Sequence, residues 1–215
     1  MSTLSKYLST FVHGLKPKRV ETRGSAVLEL PTPQTSGGIP LMDAIARRRS
    51  SREFSTLPLP LPLLSNLLWA AFGINRPLEA GRTAPSALNA QEIDVYAALS
   101  SGLYIYEPKT HSLHLVAEID ARRVTGYQDF VDEAPLDLVY VADYAHLGAV
   151  PRPQRTLFSG VSAGAISQNV YLYAASAGLV CVVRELFDQA SLRKALELSE
   201  DEQVILTQTV GYPAG

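Results

Sequence analysis

Cysteine is almost missing from this chain: Cys181 is the only one in 215 residues. A single thiol excludes an internal disulfide framework and any all-cysteine metal cage, and it fits a reducing cytoplasm. Long apolar runs are missing too. None approaches the roughly 18 residues of a spanning helix, so an integral membrane protein is not expected. Neither charge sign is in excess, since 19 Lys and Arg face 21 Asp and Glu for a net charge of -2. A dedicated nucleic-acid binder usually carries a strongly basic domain or stripe, and that class is set aside. The four histidines, His13, His111, His114 and His146, are scattered with no convergent carboxylates nearby in sequence, so no metal site is expected. Neither G-x-G-x-x-G nor G-x-x-x-x-G-K-[ST] occurs, which removes the usual dinucleotide and P-loop signatures.

What is present is the composition of a globular protein. Hydrophobic residues make up 47% and charged residues 19%, enough apolar material for one core-bearing domain. Residues 1–40 read as an arm and linker. Met1 to Arg19 is basic and mildly amphipathic around Tyr7, Leu8, Phe11 and Val12, without the continuous apolar segment of a secretory signal. The breaker-rich run from Pro31 to Pro40 closes the arm, which is expected to lie on a partner or on the core. Secretion is the alternative.

Residues 41–215 alternate between helical and extended patterns. Short helices are predicted over Leu41–Arg49 and Ser191–Leu198, with Pro62–Phe72 entered through proline and ended by Gly73. Asn75 to Leu88 reads as a loop. Ile93–Leu99, Leu103–Glu107 and Leu113–Ala117 read as a meander, and Leu136–Ala142, Val180–Val183 and Val204–Val210 as further strands. Gly160–Ala177 is predicted to be a helix buried on every side, because small and apolar residues run around its circumference. Strands in a meander with separate helices, lacking regular βαβ alternation, indicate α+β.

Gly160-Val-Ser162-Ala-Gly164 matches the nucleophile-elbow pattern, but no strand precedes it and no histidine follows His146. A hydrolase is therefore excluded. The same glycines form G-x-x-x-G, which is read as close helix packing, with Gly160, Ala163, Gly164 and Ser167 seating another helix across a dimer interface. Cys181 lies in an apolar strand and is expected to be buried and inert. Arg47, Arg48, Arg49 and Arg52, interrupted by Ser50 and Ser51, admit two readings: a solvated face complementing a helix dipole, or an anion site of guanidinium forks and a serine hydroxyl. The cluster alone leaves both open.

The surrounding residues carry a resemblance. Ala44-Ile-Ala-Arg-Arg48-Arg49-Ser50-Ser-Arg52-Glu-Phe54 resembles the R-R-S-x-R-x-F opening of the nitroreductase-like flavoproteins. Arg82-Thr-Ala-Pro85-Ser86-Ala-Leu-Asn89-Ala-Gln91 is similar to the family's P-S-[SA]-x-N-x-Q loop. Gln168-Asn169 with Ala177-Gly178-Leu179 matches its long central helix, and Val210-Gly211-Tyr212-Pro213 its closing strand. The pieces occur in the family's order and span 41–215. Trp69 to Pro77 and the Gly102 to Tyr106 hairpin look most like the branch related to azoline-oxidising dehydrogenases of ribosomal-peptide biosynthesis, whereas Ala87 to Gln91 is closer to ordinary nitroreductases.

The resemblance implies an α+β fold with a central, mostly antiparallel sheet and surrounding helices, intertwined as a homodimer with FMN at two shared interface sites. Arg48, Arg49 and Ser50 would hold the phosphate and ribityl chain, with Arg52 near the pyrimidine edge. Pro85, Ser86 and Asn89 would come from the partner and cover the isoalloxazine. The turn Arg184-Glu185-Leu186 would bring backbone amides to N5 and O4. No side-chain nucleophile or general base is named, because the flavin carries the chemistry. Many family members grip the phosphate with basic residues beyond Gly-Tyr-Pro; here only Ala214 and Gly215 follow, so phosphate binding is expected to lean on Arg48, Arg49 and Arg184. The implied activity is a cytoplasmic FMN-dependent oxidoreductase using NADH or NADPH to reduce nitroaromatic, quinone or related small-molecule acceptors by ping-pong hydride transfer. The alternatives are oxidation of a peptide azoline or related ring, and a low-turnover flavin-binding or storage protein.

Overall fold

The computed structural model describes residues 17–19, 26–148 and 150–215; the amphipathic stretch around Tyr7, Leu8, Phe11 and Val12 lies outside them. In chain order the strands are β1 (Lys18–Arg19), β2 (Val27–Glu29), β3 (Ile74–Arg76), β4 (Gly81–Arg82), β5 (Ile93–Leu99) and β6 (Gly102–Glu107). They continue as β7 (Ser112–Ala117), β8 (Ile119–Asp120), β9 (Leu136–Asp143), β10 (Val180–Arg184) and β11 (Glu202–Gly211). The α-helices are α1 (Leu41–Arg47), α2 (Leu61–Phe72), α3 (Arg152–Ala177) and α4 (Gln189–Ala195). Among the described residues no helix is long and apolar enough to cross a membrane.

Seven strands form one antiparallel sheet in the order β10-β11-β9-β5-β6-β7-β2. The α+β architecture is as expected, with the β5-β6-β7 meander running from the middle strand towards the β2 edge. Strand β9 explains the thickness of the molecule. Leu136, Leu138, Tyr140 and Ala142 enter the core beneath α2 and α3, while Val139 and Val141 face a second core that includes Leu192 and Ala195 of α4. A strand covered on both faces must be apolar at nearly every position, which is why this segment shows no alternation.

Prolines set the helix starts. Pro60 caps α2 with Pro62 in its first turn, and Pro151 caps α3 with Pro153 in its first turn. A missing N–H costs nothing there, so α3 begins at Arg152, two turns before the predicted Gly160. Gly178, at φ +71, ends it in the left-handed region that glycine tolerates. The helix is not buried all round, as the pattern suggested. Ala163 and Ser167 face the core, but Leu157 and Val161 are 63% and 65% exposed, and a Cβ added at Gly160 or Gly164 would meet nothing within 4 Å. Small and apolar residues thus mark two different faces, one packed and one open. The predicted 75–88 loop also contains regular structure, the β3-β4 ribbon, turned by Pro77 and by Ala80 at φ +50.

Part of the amino-terminal arm is stitched to the core. β2 pairs with β7, Gln34 N–H donates to Asn66 Oδ1 at 2.7 Å, and Ile39 N–H to Ser176 Oγ at 3.1 Å. Ser65 Oγ donates to the Pro31 carbonyl at 2.5 Å and lies 2.7 Å from His111 Nε2, while Tyr106 OH lies 2.8 Å from His111 Nδ1. With the serine proton spent on Pro31, the ring must carry its proton on Nε2 and accept the tyrosine hydroxyl on Nδ1. Burial lowers the His111 pKa, which suits this neutral tautomer.

A buried polar knot lies at the β9-β11-β10 end of the sheet. Arg184 Nη2 is 2.7 Å from Asp137 Oδ1 and 2.7 Å from Thr209 Oγ1, and Nη1 donates to the Thr125 carbonyl at 2.7 Å. Gly126 leaves room for this guanidinium: a Cβ there would stand 1.9 Å from Arg184 Nη1. Gly126→Ala must therefore push the charge out of its nest. We expect a loss of about 1–3 kcal/mol in urea unfolding, and a wild-type midpoint in the variant would refute this close approach.

Candidate functional site

α1 ends at Arg47, and Arg48 is already extended at φ -54 and ψ 121. From there the chain runs beside β10: Ser50 bridges Cys181 in the parallel sense and Ser51 N–H donates to the Cys181 carbonyl at 3.1 Å. It then crosses to the carboxy-terminal segment, where Ser55 N–H donates to the Tyr212 carbonyl at 2.9 Å and Phe54 lies opposite Pro213. Backbone pairing thus lays the arginine segment against two motifs distant in sequence, Leu179–Arg184 and Gly211–Pro213.

These segments enclose a cavity of about 520 Å³, whose lining includes Arg47, Arg48, Arg49, Tyr171, Cys181 and Pro213. No ion pair joins Arg47, Arg48, Arg49 or Arg52 to a carboxylate among the described residues. Three arginines lining one hollow without carboxylate partners have the chemistry that an anion requires. The carbonyl end of α3 also borders the hollow, but Gly178 N–H and Leu179 N–H both turn back to the Ala174 carbonyl.

Tyr171 organises the cavity, and sequence reasoning missed it. Its hydroxyl accepts from Val183 N–H at 2.9 Å, lies 2.8 Å from Ser50 Oγ, and its ring carries the Arg48 guanidinium 5.3 Å from the centroid. With the tyrosine donating to Ser50, the serine proton stays free for a bound anion. The only sequence signal was a tyrosine two residues after Asn169 in a predicted helix, which does not reveal what it faces. Cys181 borders the cavity yet is 1% exposed, and burial pushes its thiol up to about 12. It stays protonated and is no nucleophile.

The other predicted residues lie apart from this hollow. Pro85, Ser86 and Asn89 do not line it. They form an exposed to half-buried loop in which Ser86 Oγ accepts from Gln91 N–H at 2.9 Å and Leu88 and Asn89 take positive φ values of 57° and 54°. Arg52 is exposed; Glu185 and Leu186 lie exposed just beyond β10, Leu186 at 52%. Arg184 corrects one expectation. Its guanidinium is held by Asp137, Thr125 and Thr209 within the sheet's polar knot, so its side chain is not available as the expected phosphate grip.

A second cavity, of about 410 Å³, opens where β5 and β6 diverge: the ladder between them ends at Tyr96 and Ile105, while β5 continues along β9 and β6 along β7. Asp94 lines it. Burial first, then the nearby Asp143, Glu202 and Glu107, push its carboxyl from 3.8 up to about 6, against the opposing pull of His146. The folded chain thus keeps this proton to higher pH than the unfolded chain, so stability falls as pH rises from about 4 through 6. Relative to Asp94→Asn, the wild type should lose about 1–3 kcal/mol between pH 4 and 7 in urea melts. Parallel pH profiles for the two proteins would contradict the shift.

Comparison with known proteins places this geometry among relatives. The model of a family described as the nitroreductase family matches residues 45–212. A protein of Methanocaldococcus jannaschii, provisionally designated a nitroreductase, is 31% identical over 173 residues, 75% of this chain and 86% of its own. A crystal structure from Ralstonia eutropha JMP134, with the same provisional designation, superposes with a TM-score of 0.90 at 48% identity, covering 94% of this chain and 96% of the other. A chain of the Escherichia coli microcin synthetase McbBCD complex, bound to truncated pro-MccB17, shares the fold at TM-score 0.68 and 19% identity, over 90% of this chain and 80% of its own.

Proposed function

The chain belongs to the nitroreductase family, and from that premise we propose that it is an FMN-dependent oxidoreductase taking hydride from NADH or NADPH to a nitroaromatic, quinone or related acceptor. The observation that carries this reading is the cavity lined by Arg47, Arg48 and Arg49, which have no carboxylate partner among the described residues, with an apolar flank that includes Ala174, Leu179 and Val180, and beside it a serine hydroxyl held by Tyr171. Cationic forks beside an apolar wall suit a phosphate joined to a flat ring system. FMN, when bound, supplies hydride acceptance and donation at N5.

The protein's own residues bind and orient. Arg48 and Arg49 would neutralise the phosphate dianion, and Ser50 would offer its hydroxyl proton to it. Tyr171 fixes both Ser50 and the Arg48 guanidinium, so that little ordering remains at the moment of binding. Arg52 and the amides of Glu185 and Leu186 lie on the segments that continue from this pocket, where donors would favour negative charge on a reduced ring.

A second copy of the chain completes the proposed site. Leu41, Met42 and Ile45 on α1, Leu157 and Val161 on α3, and Leu88 and Leu186 beside the two loops are large apolar side chains left 48% to 79% exposed. Large apolar side chains left so exposed support an association face. Pro85, Ser86 and Asn89, which one chain does not bring to the Arg48 cavity, would then come from the partner.

The test is a visible spectrum of the purified protein, reconstituted with FMN where needed, followed by anaerobic titration with NADPH and NADH and by light scattering for mass. A yellow dimer bleached by either nicotinamide supports the proposal. Failure to bind added FMN overturns it, and a yellow protein that neither nicotinamide bleaches restricts the chain to holding flavin.

A further inference from the structure

The loop that the proposed site borrows from a second copy is held in an uncommon shape. Leu88, Asn89 and Gln91 take φ values of 57°, 54° and 51°. Asparagine visits this left-handed region readily, but leucine and glutamine do so only when their surroundings impose it. Leu88 is 79% exposed, so packing of its side chain is not the cause. Turn bonds close the loop on itself: Asn89 N–H donates to the Ser86 carbonyl at 3.1 Å, and Ala90 N–H to the Ala87 carbonyl at 3.0 Å.

Among the described residues, the hydrogen bonds that tie residues 85–91 to the rest of the chain all end on Gln91. Its Oε1 accepts from Arg82 Nε at 3.0 Å, its Nε2 donates to the Ala80 carbonyl at 3.0 Å, and its own carbonyl lies 3.4 Å from His146 Nδ1. The same residue reaches back into the loop. Its N–H donates to Ser86 Oγ at 2.9 Å, and Nε2 stands 3.4 Å from Asn89 Oδ1. Arg82 is itself anchored. Its Cζ lies 5.2 Å from the centroid of the buried Phe72 ring at the end of α2. The next residue, Thr83, donates its N–H to the Gly73 carbonyl at 2.9 Å and its hydroxyl to the Trp69 carbonyl at 3.1 Å, and accepts from Asn169 Nδ2 of α3 at 3.2 Å. The bond from Arg82 to Gln91 is charge-assisted and half-buried, which makes it stronger than a neutral one in water.

Resting on the flavin reading above, we propose that Arg82 and Gln91 are positioning residues for the flavin site. Together they hold the Pro85–Asn89 loop in its left-handed form, so that it is already shaped when it meets the ring. Neither residue lines the Arg48 cavity, so they act through the loop and not on the phosphate. A loop shaped beforehand loses less freedom on binding. Loosening it therefore costs affinity for the ring of the flavin and leaves the phosphate contacts alone.

Arg82→Met and Gln91→Met remove the bond from either side while keeping a side chain of similar length, and one serves if the other does not fold. Hydrogen–deuterium exchange on the full chain, read before flavin is added, tests the clamp. The Asn89, Ala90 and Gln91 amides should exchange about tenfold faster in the variants, while those of β5 and β9 keep their wild-type rates, which separates a loosened loop from a weakened fold. Fluorescence quenching then compares FMN with riboflavin. Both should bind about tenfold more weakly in each variant, by the same factor, and the double variant should lose no more than the worse single one. Unchanged loop exchange overturns the clamp. Faster exchange with flavin affinity unchanged, or with FMN alone weakened, overturns the positioning role and leaves flavin binding standing. A wild-type chain that binds neither flavin overturns the flavin reading and the positioning role with it, so the two failures are told apart in the wild type.

Discussion

Asp137→Ala is expected to lower the unfolding free energy by about 3–5 kcal/mol. The reason is the state it leaves behind. Asp137 is fully buried and Arg184 nearly so, with 2.7 Å between Oδ1 and Nη2. Burial outweighs the pull of Arg184, Thr209 and Thr125 and leaves the Asp137 carboxyl raised to about 6, which keeps the pair ionised at neutral pH. Without the carboxylate, Arg184 keeps only Thr125, Thr209 and Gln128 as neutral acceptors in a low-dielectric site. Replacing both partners together, Asp137→Leu with Arg184→Met, should recover most of the loss, because a buried pair and a well-packed apolar pair differ little in net stability. Denaturant melts of the three variants check both parts. A loss below about 1 kcal/mol in Asp137→Ala would show that the pair contributes no more than a surface contact.

The second large effect concerns the cavity. Arg48→Ala with Arg49→Ala should weaken FMN binding by about a hundredfold or more, since each charge-assisted hydrogen bond to phosphate contributes about 1.5–3 kcal/mol. The fold should be unaffected: Arg49 is exposed and Arg48 half-buried, and neither is ion-paired among the described residues. Flavin fluorescence quenching measures the affinity directly. Tyr171→Phe should lose less, about tenfold, because it removes the hydroxyl that holds Ser50 and Val183 but leaves the ring under Arg48. Comparing riboflavin with FMN separates the phosphate from the ring. If the double variant weakens both ligands equally, the arginines do not grip phosphate and the site assignment fails.

Much of this molecule was legible before any coordinates. Apolar runs bounded by turn residues located the strands of the sheet, and Pro62 and Gly73 marked the ends of α2 within one residue, because backbone sterics act locally and do not need the rest of the chain. Family resemblance singled out the arginine segment and the Gly211–Pro213 ending as separate pieces.

What tertiary structure alone decided is which groups meet. Tyr171 became the centre of the cavity only because β10 and the arginine segment pair alongside α3. Arg184 left the predicted anion site because its strand presents it to Asp137, and the alternation of side chains across the sheet sends it there. The small residues of α3 divided between a packed face and an open one, a distinction that composition cannot make when both faces want glycine and alanine. Local preference is a property of a few neighbouring residues and can be read along the chain, whereas a site is a property of residues brought together across it.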